Sequence, residues 1–496
     1  MTGVPAATDP PRALRAGPAL LWLAALAVLG VLIFAPGLDI PYYSDDFYFV
    51  LADPHLPWHE RFTRRNEGAD WYRPVEAIVL GMIQGRAGTD PRPLHATVLG
   101  IHVLLAWMVW LATVRLGGRP PAAEVASVWF LAWQANAMAV LSNDTLSQVL
   151  STVLGCAATL MLWVALDGSA GRGPRRLPVL LAIVAFAAAL FTKESGIGFL
   201  LVLSFLLVFR PPPARGVGGR VLVALALVAV IALYFGMRAA TAGAAMPMVG
   251  EGRYQFRLGA NLAVNAAKLA FAMLLPTSTV TVFDALQARR WLPLALTAVA
   301  TAALLALVVA GVWRWRRGRT ALALLLMGAL ALSPTLLLNH VSELYAYSAT
   351  PFVAVIVGAA FAALLGSRSS AAGRVTLIAV LGGMLLAQVS AVRQKAALME
   401  ANGRRAEVLV ARLEPYVRGL PPGATLWLVL PPRSPSAYSV FHLDGFELVR
   451  GAELHLVQRF GRPDAKVRQV REPGPSVAMR GPDDVTLRLE GDALVP

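Results

Sequence analysis

Apolar runs alternate with short polar segments along most of the chain. A membrane-spanning helix needs about 20 apolar residues, within a range of roughly 17–25. Eleven runs approach or reach that length, at residues 19–34, 98–114, 125–141, 149–166, 177–191, 196–209, 221–235, 292–313, 321–338, 344–365 and 375–392. Several are short, so adjoining polar residues are expected at membrane depth inside the protein. The pattern predicts an all-α polytopic membrane protein with about 11 transmembrane helices.

One further apolar segment, residues 259–275, has a polar stripe. Asn261, Asn265 and Lys268 are spaced by four and then three residues, which places them on one helical face. This spacing favours an interfacial or re-entrant helix over a span. With that assignment, residues 37–94 and 238–291 form two long exterior segments.

The last hundred residues differ from the rest in composition. Residues 393–496 are polar, and apolar stretches at 424–430 and 484–489 indicate strands separated by proline-containing turns. We expect a small exterior α/β domain here. The predicted organisation is a transmembrane domain of residues 1–392 followed by an exterior C-terminal domain of residues 393–496.

Composition narrows the function class. Hydrophobic residues make up 57% of the chain and charged residues 15%, against about 25% charged in soluble proteins, which excludes an ordinary soluble enzyme. A single cysteine excludes an internal disulfide. The net charge of +15 would suit nucleic acid, but many of the arginines lie in short loops between apolar runs. We therefore expect the lipid bilayer as a partner, and no nucleic acid.

Basic residues lie in every second connection between the apolar runs. If the N-terminus is cytoplasmic, the positive-inside rule places those connections in the cytoplasm. The opposite short connections, 142–145, 192–195 and 339–343, contain Lys193 and no arginine. The Arg- and Ala-rich composition is typical of a bacterium, which predicts a bacterial inner or plasma membrane with the exterior as periplasm. The arginines of the cytoplasmic connections are Arg115, Arg119, Arg172, Arg175, Arg176, Arg210, Arg215, Arg220, Arg314, Arg316, Arg317, Arg319, Arg368 and Arg374.

Two acidic residues follow the first apolar run. Of Asp45 and Asp46, one could be a general base that takes a proton from a hydroxyl nucleophile, while the other orients it or binds a cation. A solvated loop is the alternative. Further on, Arg73 precedes Pro74 just ahead of an apolar segment, where its side chain could bind phosphate or merely extend to the membrane surface.

A pair of histidines and a third acidic residue lie further along the chain. His95 and His102 are seven residues apart and share one helical face, about 10 Å apart along the axis, which is too far for one tight metal site. Substrate hydrogen bonding and plain helix packing remain equally good interpretations. Asp144 lies in a very short exterior turn, where it contributes to a site or caps the next helix.

The remaining candidates lie on two other exterior connections. Lys193 and Glu194 form a tight turn, either as a structural ion pair or as a holder of a lipid-linked phosphate. Glu343, Tyr345 and Tyr347 open the tenth apolar run, where the tyrosines alone would also fit an aromatic belt. All candidates fall on exterior turns or exterior helix ends, which predicts one site at that membrane face.

These residues, in this order, resemble the GT-C superfamily of polytopic glycosyltransferases that use polyprenyl-phosphate-linked sugars, in particular its protein O-mannosyltransferase-like branch. Two acids after the first transmembrane helix are the hallmark. The resemblance covers roughly residues 19–392, and one position departs from it, because Leu344 stands where the branch commonly has an arginine. The remaining matching features are Arg73-Pro74, His95 and His102, the Asp144 turn, Lys193-Glu194, and Pro334 with Glu343, Tyr345 and Tyr347.

The resemblance implies an inverting transfer of a hexose or pentose to an acceptor hydroxyl on the exterior side. Asp45 would be the catalytic base, with Asp46 orienting the acceptor. Arg73 and Lys193 would bind the donor phosphate. No cofactor or metal is predicted, and the acceptor would be a glycan, a lipid or a protein. The substrate-binding residues would be His95, His102, Asp144, Glu194, Glu343, Tyr345 and Tyr347.

Two other functions would also use many spans with polar residues among them. A lipid or sugar transporter or flippase tends to show repeated halves and interrupted helices near the midplane, and this chain has no internal repeat. A non-catalytic envelope-assembly scaffold would use the exterior C-terminal domain instead. Gathering of the polar residues at one face favours the glycosyltransferase.

Overall fold

The structure is a computed structural model, and it describes most of the chain. The described residues are 16–50, 56–63, 71–118, 121–167, 176–209, 217–242, 256–339, 341–367, 370–430, 439–471, 483–490 and 493–495. Six arginines of the predicted cytoplasmic connections lie outside them: Arg119, Arg172, Arg175, Arg210, Arg215 and Arg368.

Helices dominate the described residues. They are α1 (Ala16–Phe34), α2 (Asp46–Val50), α3 (Glu60–Thr63), α4 (Pro74–Ala87), α5 (Arg92–Arg115), α6 (Ala122–Ala132), α7 (Ala137–Leu141), α8 (Leu146–Asp167), α9 (Arg176–Thr192), α10 (Gly198–Phe209), α11 (Val217–Ala242), α12 (Ala260–Leu274), α13 (Thr279–Gln287), α14 (Trp291–Trp315), α15 (Gly318–Leu336), α16 (Thr350–Ser367), α17 (Ala371–Arg418) and α18 (Glu453–Arg459). Short 3₁₀ turns carry several candidate site residues, at Asn143–Thr145, Glu194–Ile197 and Glu343–Ser348.

The apolar helices account for every predicted span. Among the described residues, eight helices are long and apolar enough to cross a membrane, namely α1, α5, α8, α11, α14, α15, α16 and α17. Three shorter apolar helices accompany them, at Ala122–Ala132, Arg176–Thr192 and Glu194–Phe209. Each of the eleven overlaps one predicted apolar run, so the prediction of a polytopic membrane protein with about 11 such helices is confirmed.

The run at residues 125–141 is broken where a single helix was expected. Helix α6 ends at Ala132, Trp133 is extended, and α7 begins only at Ala137. Asn136 Nδ2 donates to the Phe130 carbonyl oxygen at 2.8 Å, which satisfies one carbonyl near the end of α6. The Gln134 backbone N–H donates to Gln388 Oε1 at 2.8 Å. Polar side chains therefore stabilise a break that the apolar pattern does not reveal.

The polar-striped segment forms the first arm of a bent helix pair. Helices α12 and α13 are bent by 113° at the break between them. Asn265 Nδ2 donates to the carbonyl oxygens of Leu336 at 3.0 Å and Leu338 at 2.7 Å. Those carbonyls lie at the C-terminal end of α15, where helices leave acceptors without intrahelical partners. The polar stripe thus covers the end of a neighbouring helix.

The last span continues into the C-terminal domain as one helix. Helix α17 has 48 residues and is about 72 Å long at 1.5 Å per residue, against about 30 Å for the hydrocarbon core. It passes the predicted domain boundary at residue 393 without interruption. Its second half buries Leu409, Val410 and Leu413 against the C-terminal domain.

A small four-stranded sheet lies beyond α17, as predicted. Its strands are β1 (Thr425–Leu430), β2 (Lys466–Arg471), β3 (Val485–Glu490) and β4 (Ala493–Val495), in the order β2-β1-β3-β4. Strand β1 pairs in parallel with β2 and β3, and β4 is antiparallel to β3. The connection from β1 to β2 contains α18 and a 3₁₀ turn at Gly445–Val449, and this connection reaches the membrane domain.

Candidate active site

The two adjacent aspartates lie in different environments. Ser44, just before them, has a left-handed backbone with φ of 55°. Asp46 begins helix α2 and is 2% exposed. Its Oδ2 accepts hydrogen bonds from the Tyr43 backbone N–H at 3.0 Å and from Asn143 Nδ2 at 3.1 Å. The Asp45 side chain is 31% exposed. Of the two, only the Asp45 side chain is partly exposed.

Asp144 brings a third carboxylate to this place. It lies in the 3₁₀ turn Asn143–Thr145, and its Oδ1 accepts a hydrogen bond from Ser142 Oγ at 2.6 Å. Burial, together with the nearby carboxylates of Asp144 and Asp45, raises the pKa of Asp46 well above its ordinary range. The structure therefore groups Asp45, Asp46 and Asp144, as the sequence order of the resemblance implies.

Asp45 has a partner from the far end of the chain. Arg450 Nε donates to Asp45 Oδ1 at 2.8 Å, and Arg450 Nη2 donates to the same oxygen. Arg450 lies in the connection between β1 and β2, in the predicted exterior domain. The candidate base therefore forms an ion pair with the C-terminal domain.

A second group of charges surrounds the Glu194 turn. Arg73 Nε donates to Glu194 Oε2 at 3.0 Å, and Arg238 Nη1 lies 3.5 Å from Glu194 Oε1. Arg73 also lies 3.6 Å from Glu76, a buried carboxylate that accepts a hydrogen bond from the Ser147 backbone N–H at 2.9 Å. Burial raises the pKa of Glu76. Both arginines of this group are thus already paired with carboxylates.

Lys193 lies between the two groups. Its side chain is buried, and its ammonium lies 5.7 Å from the centre of the Tyr345 ring. Among the described residues, no side chain or backbone group forms a hydrogen bond or salt bridge with this ammonium. Burial and the nearby Arg73 lower the pKa of Lys193 to about 8, against the opposing influence of Glu76, Glu194 and Asp144. Lys193 therefore presents a cation close to both carboxylate groups.

Two of the predicted substrate-binding residues are held by membrane-domain partners. His95 Nε2 bonds to the Ile40 carbonyl oxygen at 3.1 Å. His102 is fully buried, with Nε2 bonded to the Leu131 carbonyl oxygen at 3.2 Å and Nδ1 to the Tyr347 hydroxyl at 2.9 Å. Because Leu131 can only accept, Nε2 donates and Nδ1 accepts from Tyr347. This geometry favours the helix-packing interpretation of His102, whose partner is the buried Tyr347 hydroxyl.

Glu343 belongs to a third, separate group. Lys395 Nζ lies 2.5 Å from Glu343 Oε1, and Thr279 Oγ1 donates to Glu343 Oε2 at 2.6 Å. Lys395 also bonds to Gln134 Oε1 at 2.7 Å. The structure thus joins Asp45, Asp46 and Asp144, and joins Arg73, Lys193, Glu194 and Tyr345, but it binds Glu343 to helix α17 instead.

Several residues of the site are absent from the sequence prediction. Glu76 follows Arg73 by three residues on the first turn of α4, a spacing that could have revealed it. Arg238 is an arginine close to the end of an apolar run, which is also a usable signal. Arg450 has no such signal, because 405 residues separate it from Asp45. Within the described part of the chain, no three His, Cys, Asp or Glu side chains group as a metal site.

Comparison with known proteins shows the fold. No protein-family model matches the sequence, and no curated protein matches it. The structure is similar to ArnT from Cupriavidus metallidurans in the apo state, with 16% identity, 88% of each chain covered and a TM-score of 0.53. The structure of the same ArnT bound to undecaprenyl phosphate has 15% identity, with 88% of each chain covered and a TM-score of 0.48. The Archaeoglobus fulgidus oligosaccharyltransferase tethered with an acceptor peptide has 14% identity. The match covers 82% of this chain and 62% of that chain, with a TM-score of 0.49.

The likeness to apo ArnT, over 88% of both chains, establishes the architecture. At 16% identity it shows the fold alone. The chain has the fold of ArnT, so the architecture that the resemblance implies is confirmed.

Proposed function

We propose that this integral membrane protein is a glycosyltransferase that moves a sugar from a polyprenyl-phosphate-linked donor to an acceptor hydroxyl. One observation carries the proposal. The exposed carboxylate of Asp45 lies in one cluster with Asp144, and Asp144 is in electrostatic range of the buried Lys193 ammonium. A base at one end and a cation at the other match the two ends of a sugar-phosphate bond.

The carboxylate end acts on the acceptor. The acceptor oxygen attacks the anomeric carbon while Asp45 accepts its proton, and the bond from that carbon to the phosphate oxygen breaks. A single displacement of this kind inverts the anomeric carbon. Asp46, buried and held by Tyr43 and Asn143, keeps the loop in place and orients the acceptor.

The cationic end acts on the leaving group. The polyprenyl phosphate departs with the electron pair of the broken bond, so a nearby positive charge lowers the barrier. Lys193 is the cation in this region with no carboxylate bonded to it among the described residues. Arg73 assists from its bond to Glu194, whose other oxygen faces Arg238.

The charges of this region favour a donor with one phosphate. Glu194 and Glu76 already oppose much of the charge of Arg73 and Arg238, which leaves the Lys193 ammonium for the donor. A single phosphodiester carries one negative charge. This match supports a monophosphate-linked lipid donor over a diphosphate-linked one.

The orientation follows from charge placement. The positive-inside pattern supports a site on the exterior face, which is the periplasm in a bacterial inner membrane. The transferred sugar is a hexose or pentose, and the acceptor is a glycan, a lipid or a protein.

Sugar transfer by the purified protein in detergent tests the proposal. The assay supplies radiolabelled undecaprenyl-phosphate hexoses and pentoses together with a membrane-glycan extract. We expect transfer by the wild type and its loss in Asp45→Asn, whereas Asp39→Asn, in an exposed ion pair with Arg92, stays active. Donor binding without transfer in the wild type would favour a transporter, and absence of donor binding would favour a scaffold.

A further inference from the structure

A segment of the C-terminal domain, residues 445–456, lies against the loop that carries the candidate base. We call it the strap. The Ser44 backbone N–H donates to the Leu448 carbonyl oxygen at 2.7 Å. The rings of Phe47 and His455 lie 5.2 Å apart. The strap and the loop at residues 43–48 are therefore joined by a backbone hydrogen bond and by ring packing, besides the ion pair.

The strap is held firmly by its own domain. Leu448, Val449 and Leu456 are buried, and the Val449 carbonyl oxygen accepts a hydrogen bond from Gln469 Nε2 on β2 at 2.6 Å. Gly451 has φ of 81°, and a Cβ there would meet the Tyr48 ring, so the residue after Arg450 must be glycine. The position of Arg450 is thus determined by the sheet domain.

The bonds of Arg450 leave half of the Asp45 carboxylate open. Both donating nitrogens point to Oδ1, and Oδ2 accepts no hydrogen bond from any residue that the structure describes. Arg450 is 14% exposed and also lies 3.4 Å from Glu447. A carboxylate anchored through one oxygen keeps the other available to accept a proton.

The cluster also needs a positive charge. Asp45, Asp46 and Asp144 are mutually repulsive, and two of them are buried or in a buried turn. A cation bonded to such a group offsets the repulsion between its carboxylates. Within the described residues, Arg450 is the cation bonded to this acidic group.

We infer that Arg450 is a positioning residue of the active site, which holds the Asp45 carboxylate aligned through Oδ1 while Oδ2 takes the acceptor proton. The exterior C-terminal domain is then part of the catalytic unit rather than an appendage. The inference rests on the proposed sugar transfer. It adds to the site one residue, Arg450, that belongs to the C-terminal domain.

A double-mutant cycle on the full-length protein in detergent tests the role. We expect Arg450→Ala to lower kcat by about 100-fold, as displacement of a reacting group by about 1 Å does, with the donor KM nearly unchanged. In an Asp45→Ala background the same substitution should change little, because Arg450 acts through Asp45. Added guanidinium should restore part of the Arg450→Ala activity, and Arg450→Lys should retain more activity than Arg450→Ala.

The matched control is Arg405→Ala, which removes another arginine bonded to a carboxylate in the same part of the protein, in an exposed pair with Asp444. Thermal unfolding of each variant separates a folding defect from a catalytic one. A rise in donor KM that persists without Asp45 would assign Arg450 to the phosphate and overturn the inference. A faster Arg450→Ala enzyme would also overturn it, because the pair would then be inhibitory.

The two proposals fail separately. If the wild type transfers no sugar from any undecaprenyl-phosphate donor, the proposed function fails, and the positioning role fails with it. If the wild type transfers sugar and Arg450→Ala matches Arg405→Ala, the positioning role alone is wrong.

Discussion

Two buried lysines show how differently the same side chain is used in this protein. Lys395 on α17 donates to the Gln134 carbonyl oxygen at 3.1 Å, to Gln134 Oε1 at 2.7 Å and to Glu343 Oε1 at 2.5 Å. An ammonium has three donors, so all three are satisfied. Lys193, also buried, has only the face of Tyr345 among the described residues.

The difference separates structure from chemistry. A buried charge with a complete set of partners stabilises one arrangement of the chain, whereas a buried charge without them is a candidate for binding a ligand. Lys395 and Glu343 tie α17 to the bent pair α12 and α13 through Thr279. Lys193 faces the candidate site. Substitutions that separate a loss of turnover from a loss of stability test this difference between the two lysines.

The largest effect belongs to the base. We expect Asp45→Asn to lower turnover by about 10²–10⁴-fold, the usual contribution of a general base, because an amide cannot accept the acceptor proton. Thermal unfolding should stay near the wild type, since Asp45 is partly exposed. Single-turnover sugar transfer is the measurement. Normal transfer by Asp45→Asn would show that Asp45 is not the general base.

The next effect is on stability. Lys395→Met should lower the free energy of unfolding by about 3–5 kcal/mol, because it removes the cation bonded to the buried Glu343 carboxylate. Transfer per folded molecule should be unchanged. Adding Glu343→Gln should recover part of the lost stability, as measured by thermal unfolding in detergent. A stable but inactive Lys395→Met protein would contradict the division.

Replacing Lys193 by methionine should reduce turnover and leave stability intact, the reverse of the effect expected for Lys395→Met. We expect Lys193→Met to lower turnover by about 10²–10³-fold, as loss of one group that stabilises a developing anion does. Unfolding should not become easier, because a buried cation with no bonded carboxylate is removed. Turnover and thermal unfolding, compared with Lys395→Met, decide between the two lysines. A Lys193→Met protein that is destabilised but has normal turnover would show that Lys193 has a structural role and no role in transfer.

The smallest effect is on pH dependence. Burial lowers the pKa of Lys193 to about 8, so the ammonium loses its proton above that pH while an unfolded lysine would still hold one. Donor affinity should therefore fall as pH rises through 8, by up to about tenfold per unit. Stability should rise over the same range, because the unfolded state binds more protons. Donor KM measured from pH 6 to 9.5 checks this.

A guanidinium at the same position is the control. Lys193→Arg keeps its charge throughout that range, because arginine does not lose its proton in proteins. Its donor KM should be flat above pH 8. An alkaline rise of equal size in Lys193→Arg would assign the titration to another group.

Much of the fold could be predicted because hydropathy is a local property. Each of the eleven apolar runs specifies a helix without reference to its neighbours, since a span must satisfy its own backbone in lipid. The strands at residues 424–430 and 484–489 were predicted for a similar reason. The break at Trp133 was missed because it depends on Gln388, far along the chain.

The candidate site could be predicted only in part. The sequence places all of these residues on connections at one membrane face, and the structure brings Asp45, Asp46 and Asp144 close together and Lys193 onto the Tyr345 ring. The partners could not be foreseen. Nothing near Glu343 in the sequence indicates its ion pair with Lys395, and nothing near Asp45 indicates Arg450.

The sequence by itself determined that this chain is a polytopic membrane protein, because the length of each apolar run acts segment by segment. Tertiary structure alone decided which charges are neutralised and which remain available. An ion pair depends on distances between side chains that lie up to 405 residues apart, such as Asp45 and Arg450. Only the packing of the C-terminal domain against the membrane helices brings them within a hydrogen bond.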